Sequence, residues 1–591
     1  MYQYDPPLKD YEFILHKLLK VQDLDLNGYC DLEPEYTSQI LKEAAKIAKD
    51  ELAPLNKSGD SEGCRLENGV VVTPKGFKRA FSRVNQGGWT GINCDTKYGG
   101  QGLPHVIGLT IGEIFCSANM ALNMYHGLTH GAYSAIYHHG SDEQKDMYLP
   151  NLVSCNWTGT MNLTEPQCGT DLGLIRTKAE KRTDGSYKVT GQKIFISAGD
   201  HDLAENIIHL VLAKIPGSPE GVKGISMFIV PKFLVNEDGS LGDRNNISVG
   251  KIEEKMGIHG NSTCVMNYDG ATGFLISEEN KGLKAMFTMM NEARLGVGLQ
   301  GIGQAEIAFQ QAAAYAKERV QGKDITKKGD KDKAHAIINH PDVRRNLMDQ
   351  KVFIEGARAL ALWCATMLDA AERNSDKNSE GLASLLIPVV KGFITDKGFE
   401  STVNSQQIFG GHGYVEEWGM SQFVRDSRIA MIYEGTNGIQ ALDLVGRKLS
   451  ADGGQHTMHF LQKIKNFIKE SEKCTYLKED FITPLNDALN DAEKCLHFFM
   501  SEGIKNPNQA LAGATDFMHL VGYLALGFMW ARMAKTAHDE LKKNRNADPL
   551  FETKITSAKY FFKRHIPETE LRRKRVLSGS NEMMNIPEIH F

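Results

Sequence analysis

Between Arg425 and Gln440 the chain reads RDSRIAMIYEGTNGIQ, which sets one carboxylate, Glu434, between an apolar approach and a Gly-Thr-Asn-Gly turn. The approach is Ile429, Ala430, Met431 and Ile432. A carboxylate flanked by apolar side chains loses hydration, which disfavours its charged form and raises its pKa toward neutrality. That chemistry suits a general base. Gly435 and Gly438 allow a sharp turn and a close approach of backbone to a ligand. On this segment alone a second reading stands beside the first. Glu434 could be a buried partner of Arg425 or Arg428 ahead of an ordinary loop, because structural ion pairs perturb pKa as well.

Three further segments precede it: MNLTEPQCGTD from Met161 to Asp171, GQKIFIS from Gly191 to Ser197, and QIFGGHGY from Gln407 to Tyr414. In this order, and closed by IYEGTNGIQ, they resemble the acyl-CoA dehydrogenase family of flavoproteins over roughly residues 40 to 450. The resemblance implies FAD as cofactor and an acyl-CoA thioester as substrate.

Elements must exist to hold these segments. A chain of 591 residues is too long for one hydrophobic core, so three or four domains are expected. From Tyr11 to about Asn156 the periodicity is helical: SQILKEAAKIAKDELAPLN is an amphipathic helix stopped by Pro54, and Pro150 ends another. From Asn156 to about Ile276, short runs of Val, Ile, Phe and Tyr between glycine turns predict strands at hairpin spacing, in a compact antiparallel β domain. Helical period resumes near Gly282 and runs to about Ser450. A polar stretch, Lys323 to Lys333, interrupts it and reads as a mobile loop. Beyond the glycines at 453 and 454 the period is helical again.

The fold class is therefore α+β: an N-terminal helical domain (1–155), a central antiparallel β domain (156–281), a helical bundle (282–450) and an additional C-terminal helical domain (451–591). The resemblance makes the bundle one of four helices, and the added domain points to a longer subgroup. ERVQG (Glu318 to Gly322) and HPDVRR (His340 to Arg345) belong to the same likeness.

A net charge of −5 gives no electrostatic case for nucleic acid or an anionic membrane. The ten cysteines are scattered without a CxxC pair or metal-ligand spacing, which suits buried thiols in a reducing compartment and predicts no metal site. The amino-terminal MYQYDPPLKDYEFILHKLL lacks the order of a secretory signal and the makeup of a transit peptide. The most apolar later segment, Phe517 to Ala531 with His519 inside it, is shorter than the ~18–20 residues of a membrane span. A buried helix, no membrane span and a cytoplasmic location are expected.

Residue by residue, the resemblance implies the following. The main chain of Met161 and Leu163, with the hydroxyl of Thr164, lines the edge of the flavin ring. Gly169 and Thr170 form a turn whose N–H groups bind phosphate oxygens, and Thr170 also meets the thioester substrate. Phe195, Ile196 and Ser197 stand where relatives commonly carry Trp-Ile-Thr or Trp-Ile-Ser, so the apolar face is kept and the indole N–H is lost. Gln407 donates, and Gly410 with Gly411 forms a close-approach turn toward the flavin of a neighbouring subunit. Arg319 neutralises that flavin's pyrophosphate, which a guanidinium does bidentately. An aromatic usually follows this arginine in the family; here Val320, Gln321 and Gly322 follow. Thr436 and Asn437 complete the pyrophosphate site, while Gly438 replaces a common glutamine and carries no role. No GxGxxG lies between a strand and a helix, so a Rossmann mode is not supported.

The family places its catalytic carboxylate at one of two positions. Glu434 matches one. At the other, directly before the arginine of ARLGVG, this chain has Ala293; Glu292 is one residue further from Arg294, a rotation of roughly 100° on a helix. Glu434 is therefore the expected base and Glu292 a solvated or ion-paired surface residue. Arg294, Tyr433 and Gly435 join Thr170 on the substrate side. In the implied chemistry Glu434 removes the proton α to the thioester carbonyl while a hydride leaves the β carbon for the flavin. Electron-transfer flavoprotein is the implied electron acceptor, and a homodimer the implied assembly. The substrate would be 3-(methylthio)propanoyl-CoA or a straight-chain fatty acyl-CoA. Tyr414 and Tyr433 can narrow the acyl pocket or be ordinary core. The alternatives are an acyl-CoA oxidase and a non-catalytic flavin-bearing assembly protein.

Overall fold

Along Tyr187–Ser197 the chain buries Tyr187, Val189, Lys193 and Ile196 and exposes Lys188, Thr190, Gln192 and Phe195, the two-residue alternation of a strand with one slip near its end. The computed structural model describes residues 4–29, 31–324, 333–544 and 547–591. Most of the polar loop read at Lys323 to Lys333 lies outside them. The chain divides into two compact units. One comprises Met1–Asp5 and Glu43–Gly296, the other Pro6–Lys42 and Val297–Phe591.

The first unit is built on seven strands: β1 (Trp157–Asn162), β2 (Lys178–Lys181), β3 (Tyr187–Ser197), β4 (Asn206–Lys214), β5 (Ile225–Pro231), β6 (Ile247–Ile252) and β7 (Thr263–Ile276). Their hydrogen-bonded order is β6-β7-β3-β2-β4-β1, and β5 pairs with both β7 and β4, closing β7, β3, β2, β4 and β5 into a ring. The sheet is not wholly antiparallel as expected. β1 runs parallel to β4, and β2 meets β4 in parallel at Lys178 and Lys214. A parallel pair needs a long crossover, and the connection from Asn162 to Asn206 supplies it, with β2 and β3 inside it.

Helix α1 (Met120–His139) lies on β1 at Gly159, where any Cβ would clash with Ala132. Two local expectations differ. Within the region read as helical, Arg65–Glu67 pairs with Val70–Val72 as a hairpin. Its turn, Asn68-Gly69, has positive φ at both residues, 52° and 79°, the geometry that a two-residue hairpin favours. Pro150 does not end its helix but sits inside Asp142–Val153, one turn from the end.

Four helices carry the bundle: α2 (Gly282–Glu318), which enters the second unit at Val297, α3 (Pro341–Asn374), α4 (Lys377–Ile408) and α5 (Met420–Arg428). α2 and α4 cross closely at Gly301, where a Cβ would come within 3.1 Å of the Ile394 carbonyl oxygen. The short helix α6 (Asn437–Asp443) follows the Glu434 turn. Of the added C-terminal region, α7 (Ala514–Lys543) and α8 (Leu550–Arg564) pack on the bundle.

α7 is longer than its apolar segment predicts. Among the described residues it is the one helix long and apolar enough to cross a membrane, but 94% of its most apolar window is buried against protein. It is the core helix that the sequence led us to expect. A buried charge network ties the segments of this unit together. Arg358 bonds Asp10 at 2.5 Å and Glu306 at 2.6 Å, and Lys554 of α8 bonds Asp10 and Glu355. Removing one member would strand the others without water.

Candidate functional site

In the first unit the MNLTEPQCGTD segment leaves β1 and is pinned to β3. Ile194 donates its N–H to the Thr164 carbonyl at 2.9 Å, and Lys193 donates its ammonium to the Leu163 carbonyl at 3.0 Å. The anchor is a residue to which the sequence reading gave no role. Glu165, 3% exposed, accepts from Lys193 Nζ (2.8 Å), the Thr177 hydroxyl (2.6 Å), the N–H groups of Arg176 (2.6 Å) and Thr177 (3.1 Å), and Gln167 (2.6 Å). Burial pushes its pKa up. The Lys193 charge and these donors outweigh it and bring the carboxyl down to about 2. Both residues stand inside the quoted motifs, and the only signal available was a charged side chain at an inward position of β3.

The pin presents the expected flavin residues. Met161, Leu163 and Thr164 are half-buried, and Gly169 and Thr170 are exposed. Between the pairs Met266–Lys193 and Cys264–Ile196, β3 has two residues opposite Val265 alone, a β-bulge. Phe195 adopts φ 58° there and is 60% exposed. A bulge re-aims a side chain, and left-handed backbone at a non-glycine costs energy that marks functional sites. Ser197 is half-buried, but the Ile196 side chain is 2% exposed in the β core. Only its main chain can meet a ligand, because strand alternation turns the side chain inward.

On the part of α2 in this unit, Arg294 is 4% exposed. Of the two readings, solvated or ion-paired at the surface, Glu292 is nearer the second but is half-buried: it accepts a hydrogen bond from Ser134 and lies 3.7 Å from His130 Nε2. The α1 helix occupies that side of α2, a fact that helical phase alone does not carry. Since an amide at this position still accepts from Ser134, Glu292→Gln is expected to leave turnover within a few-fold of wild type in a steady-state assay.

In the second unit Glu434 is half-buried with φ 58°, and Gly435 follows with φ 85°. Two successive left-handed residues turn the chain sharply, and a Cβ on Gly435 would come within 2.7 Å of Gln440 Nε2. The turn is held from behind. Lys391 of α4, fully buried, donates to the Gly435 carbonyl at 2.7 Å and to Asn437 Oδ1 at 2.8 Å. Gln440 donates to the carbonyls of Glu434 (3.1 Å) and Gly435 (3.3 Å). The Tyr433 hydroxyl donates to Gln300 of α2, and Arg428 lies over the Phe399 ring.

Thr436 is exposed, and its hydroxyl caps α6 by accepting from Ile439 N–H at 3.3 Å. Asn437 is placed otherwise than expected. It is 8% exposed, and its amide is engaged by Gly392 O, Thr395, Asp396 and Lys391. A buried ammonium demands an acceptor, and Asn437 supplies it, so the side chain braces the turn instead of facing a pyrophosphate.

The remaining expected residues gather at another edge of this unit. Tyr315 of α2 stacks on Phe409 at 4.2 Å, which brings Arg319, one turn later, toward Gln407, Gly410 and Gly411, all four exposed. Gly410 has φ 58°, and a Cβ on it or on Gly411 would meet nothing within 4 Å. Tyr414 is 89% exposed, on the surface of the unit, and does not narrow a pocket within it. Within this unit the exposed Arg319 guanidinium beside Gln407 and the open Gly410–Gly411 turn fits an anionic group.

Family models match nearly the whole chain: the acyl-CoA dehydrogenase N-terminal domain at 34–156, the middle domain at 160–271, the C-terminal domain at 280–449, and an acetyl-CoA dehydrogenase C-terminal-like domain at 460–587. The chain belongs to the acyl-CoA dehydrogenase family. It is 40% identical to the 3-methylmercaptopropionyl-CoA dehydrogenase of Ruegeria pomeroyi, over 98% of this chain and 99% of that protein. It is 32% identical to the broad-specificity linear acyl-CoA dehydrogenase FadE5 of Mycobacterium tuberculosis, over the full length of both. Among solved structures, Caenorhabditis elegans ACDH-11 in complex with C11-CoA superposes with a TM-score of 0.82 at 20% identity, covering 100% of this chain and 96% of that one.

Proposed function

We propose that this oxidoreductase is an FAD-dependent acyl-CoA dehydrogenase in which Glu434 takes the α proton of the acyl thioester to give the trans-2-enoyl-CoA. The observation that carries the assignment is the braced left-handed turn at Glu434 and Gly435. Strain of this kind persists only where the surroundings over-determine it, and a buried ammonium together with Gln440 does so here. Bound FAD supplies the acceptor for the β hydride. The main chain of Met161 and Leu163, with Thr164 and Ser197, would hold the ring edge, and Phe195 would cover its face. The N–H of Glu434 is a donor for the developing enolate oxygen, an interaction that preorganised donors make worth several kcal/mol.

The substrate we favour is a short thioester such as 3-(methylthio)propanoyl-CoA, or a straight-chain acyl-CoA, in line with the names of the two relatives. The cluster of Arg319, Gln407, Gly410 and Gly411 supports a homodimer in which it serves a neighbour's flavin. Electron-transfer flavoprotein is the acceptor implied by family membership. The test is anaerobic addition of butanoyl-, octanoyl- and 3-(methylthio)propanoyl-CoA to the purified holoenzyme, with bleaching of the flavin band expected for at least one. A flavin that no acyl-CoA reduces would return the assembly-protein alternative. Rapid peroxide formation in air would return the oxidase.

A further inference from the structure

The brace behind the Glu434 turn does not end at α4. Asn437 Nδ2 donates to Asp396 Oδ1 at 2.6 Å, and the other oxygen of Asp396 lies 2.8 Å from Nε2 of His519. His519 belongs to α7, in the region matched by the C-terminal-like family model. It is 8% exposed and edge-on to Phe393 at 5.4 Å, and its Nδ1 is buried without a hydrogen-bond partner. Among the described residues its one polar contact is therefore Asp396. α7 comes this close because the residue before it, Met518, packs where a Cβ on Gly392 would stand.

From Lys391 to Asp396 the polar groups form one chain. Lys391 binds Gly435 O and Asn437 Oδ1, Asn437 Nδ2 binds Asp396, and Asp396 binds His519. The orientation of the Asn437 amide, oxygen toward the ammonium and nitrogen toward the carboxylate, is the one that satisfies both charges. If the His519 contact is removed, Asp396 keeps only its bond from Asn437 and can turn. The Asn437 amide, though still bonded to Gly392 and Thr395, is then less firmly oriented toward Lys391, the ammonium that with Gln440 holds the Gly435 carbonyl.

We propose that His519 is a positioning residue for the base: the added C-terminal domain, through Asp396, Asn437 and Lys391, sets the place of Glu434. The proposal rests on Glu434 being the base. It gives the extra helical domain a part in the chemistry.

The test uses the full-length holoenzyme and the acyl-CoA that bleaches the wild-type flavin fastest among the three above. His519→Leu removes the donor. His519→Gln keeps an amide N–H near the position of Nε2. Flavin reduction at saturating acyl-CoA is expected to slow by ~10–100-fold in His519→Leu, the scale of sub-ångström to ångström misplacement of a reacting group. The half-saturating concentration should stay within a few-fold. The kinetic isotope effect from α-deuterated substrate should rise, because proton abstraction is the step impaired. His519→Gln should recover most of the rate.

A purely structural role would lower stability or flavin content without raising the α-deuterium effect, and that result would overturn the proposal. So would a wild-type reduction rate in His519→Leu. If the leucine variant does not fold, His519→Asn, whose amide stops short of Asp396, takes its place under the same criteria. Glu434→Gln separates the two failures. If that variant is inert while His519→Leu matches wild type, only the role of His519 falls. If Glu434→Gln reduces its flavin normally, the base assignment falls, and the proposal falls with it.

Discussion

Glu434→Gln should bind FAD and acyl-CoA and leave the flavin oxidised. The amide keeps the size of the carboxylate, and the turn that carries it is braced through main-chain carbonyls of residues 434 and 435, which the substitution does not touch. Loss of a general base costs ~10²–10⁴-fold, and the measurement is the rate of anaerobic flavin bleaching by stopped flow. Glu292 cannot take over. It is tied to Ser134 beside His130, and the residue before Arg294 is Ala293. Bleaching at the wild-type rate in Glu434→Gln, with a dead Glu292→Gln, would move the base to Glu292 and leave the family membership untouched.

Glu165→Gln should be the most damaging single change in the first unit. It strands the ammonium of Lys193, 0% exposed, without its carboxylate. Breaking a buried pair from one side costs ~3–5 kcal/mol, and here the loss falls on the joint between the two motifs proposed to hold the flavin. Urea unfolding and the rate of flavin loss should both register it.

Acid should imitate the substitution. Because the folded carboxyl is lowered from 4.5 to about 2, its contribution is fully present above pH ~4.5 and is lost as pH falls from there to about 2. Adding Lys193→Met to Glu165→Gln should recover part of the loss, since removing both charges leaves no ion without a partner. A double variant no more stable than Glu165→Gln alone would contradict the pairing account.

Much of this was legible in the chain. The four motifs in order, the change from helical to strand texture near Asn156 and back near Gly282, and Glu434 itself are local features. Periodicity reports which positions are apolar, and a motif reports a short run of backbone and side chains, so neither needs a partner from elsewhere. The apolar core of α7 was readable for the same reason.

The meetings of polar groups far apart in sequence came only with folding. Glu165 and Lys193 are 28 residues apart, Lys391 and Asn437 are 46, and Asp396 and His519 are 123. No periodicity marks such pairs, because a buried charge looks like a surface charge until its partner is known. For that reason the buried brace around the Asn437 side chain, and the half-buried contacts of Glu292 with Ser134 and His130, were not readable from the chain. Phe195 turns outward for a related cause: a bulge exists only in the register between β3 and β7, and neither strand contains it alone. Family membership and the candidate residues for the chemistry are legible in the chain, because they depend on residue types and near neighbours. Where those residues are held depends on side chains that only folding brings together.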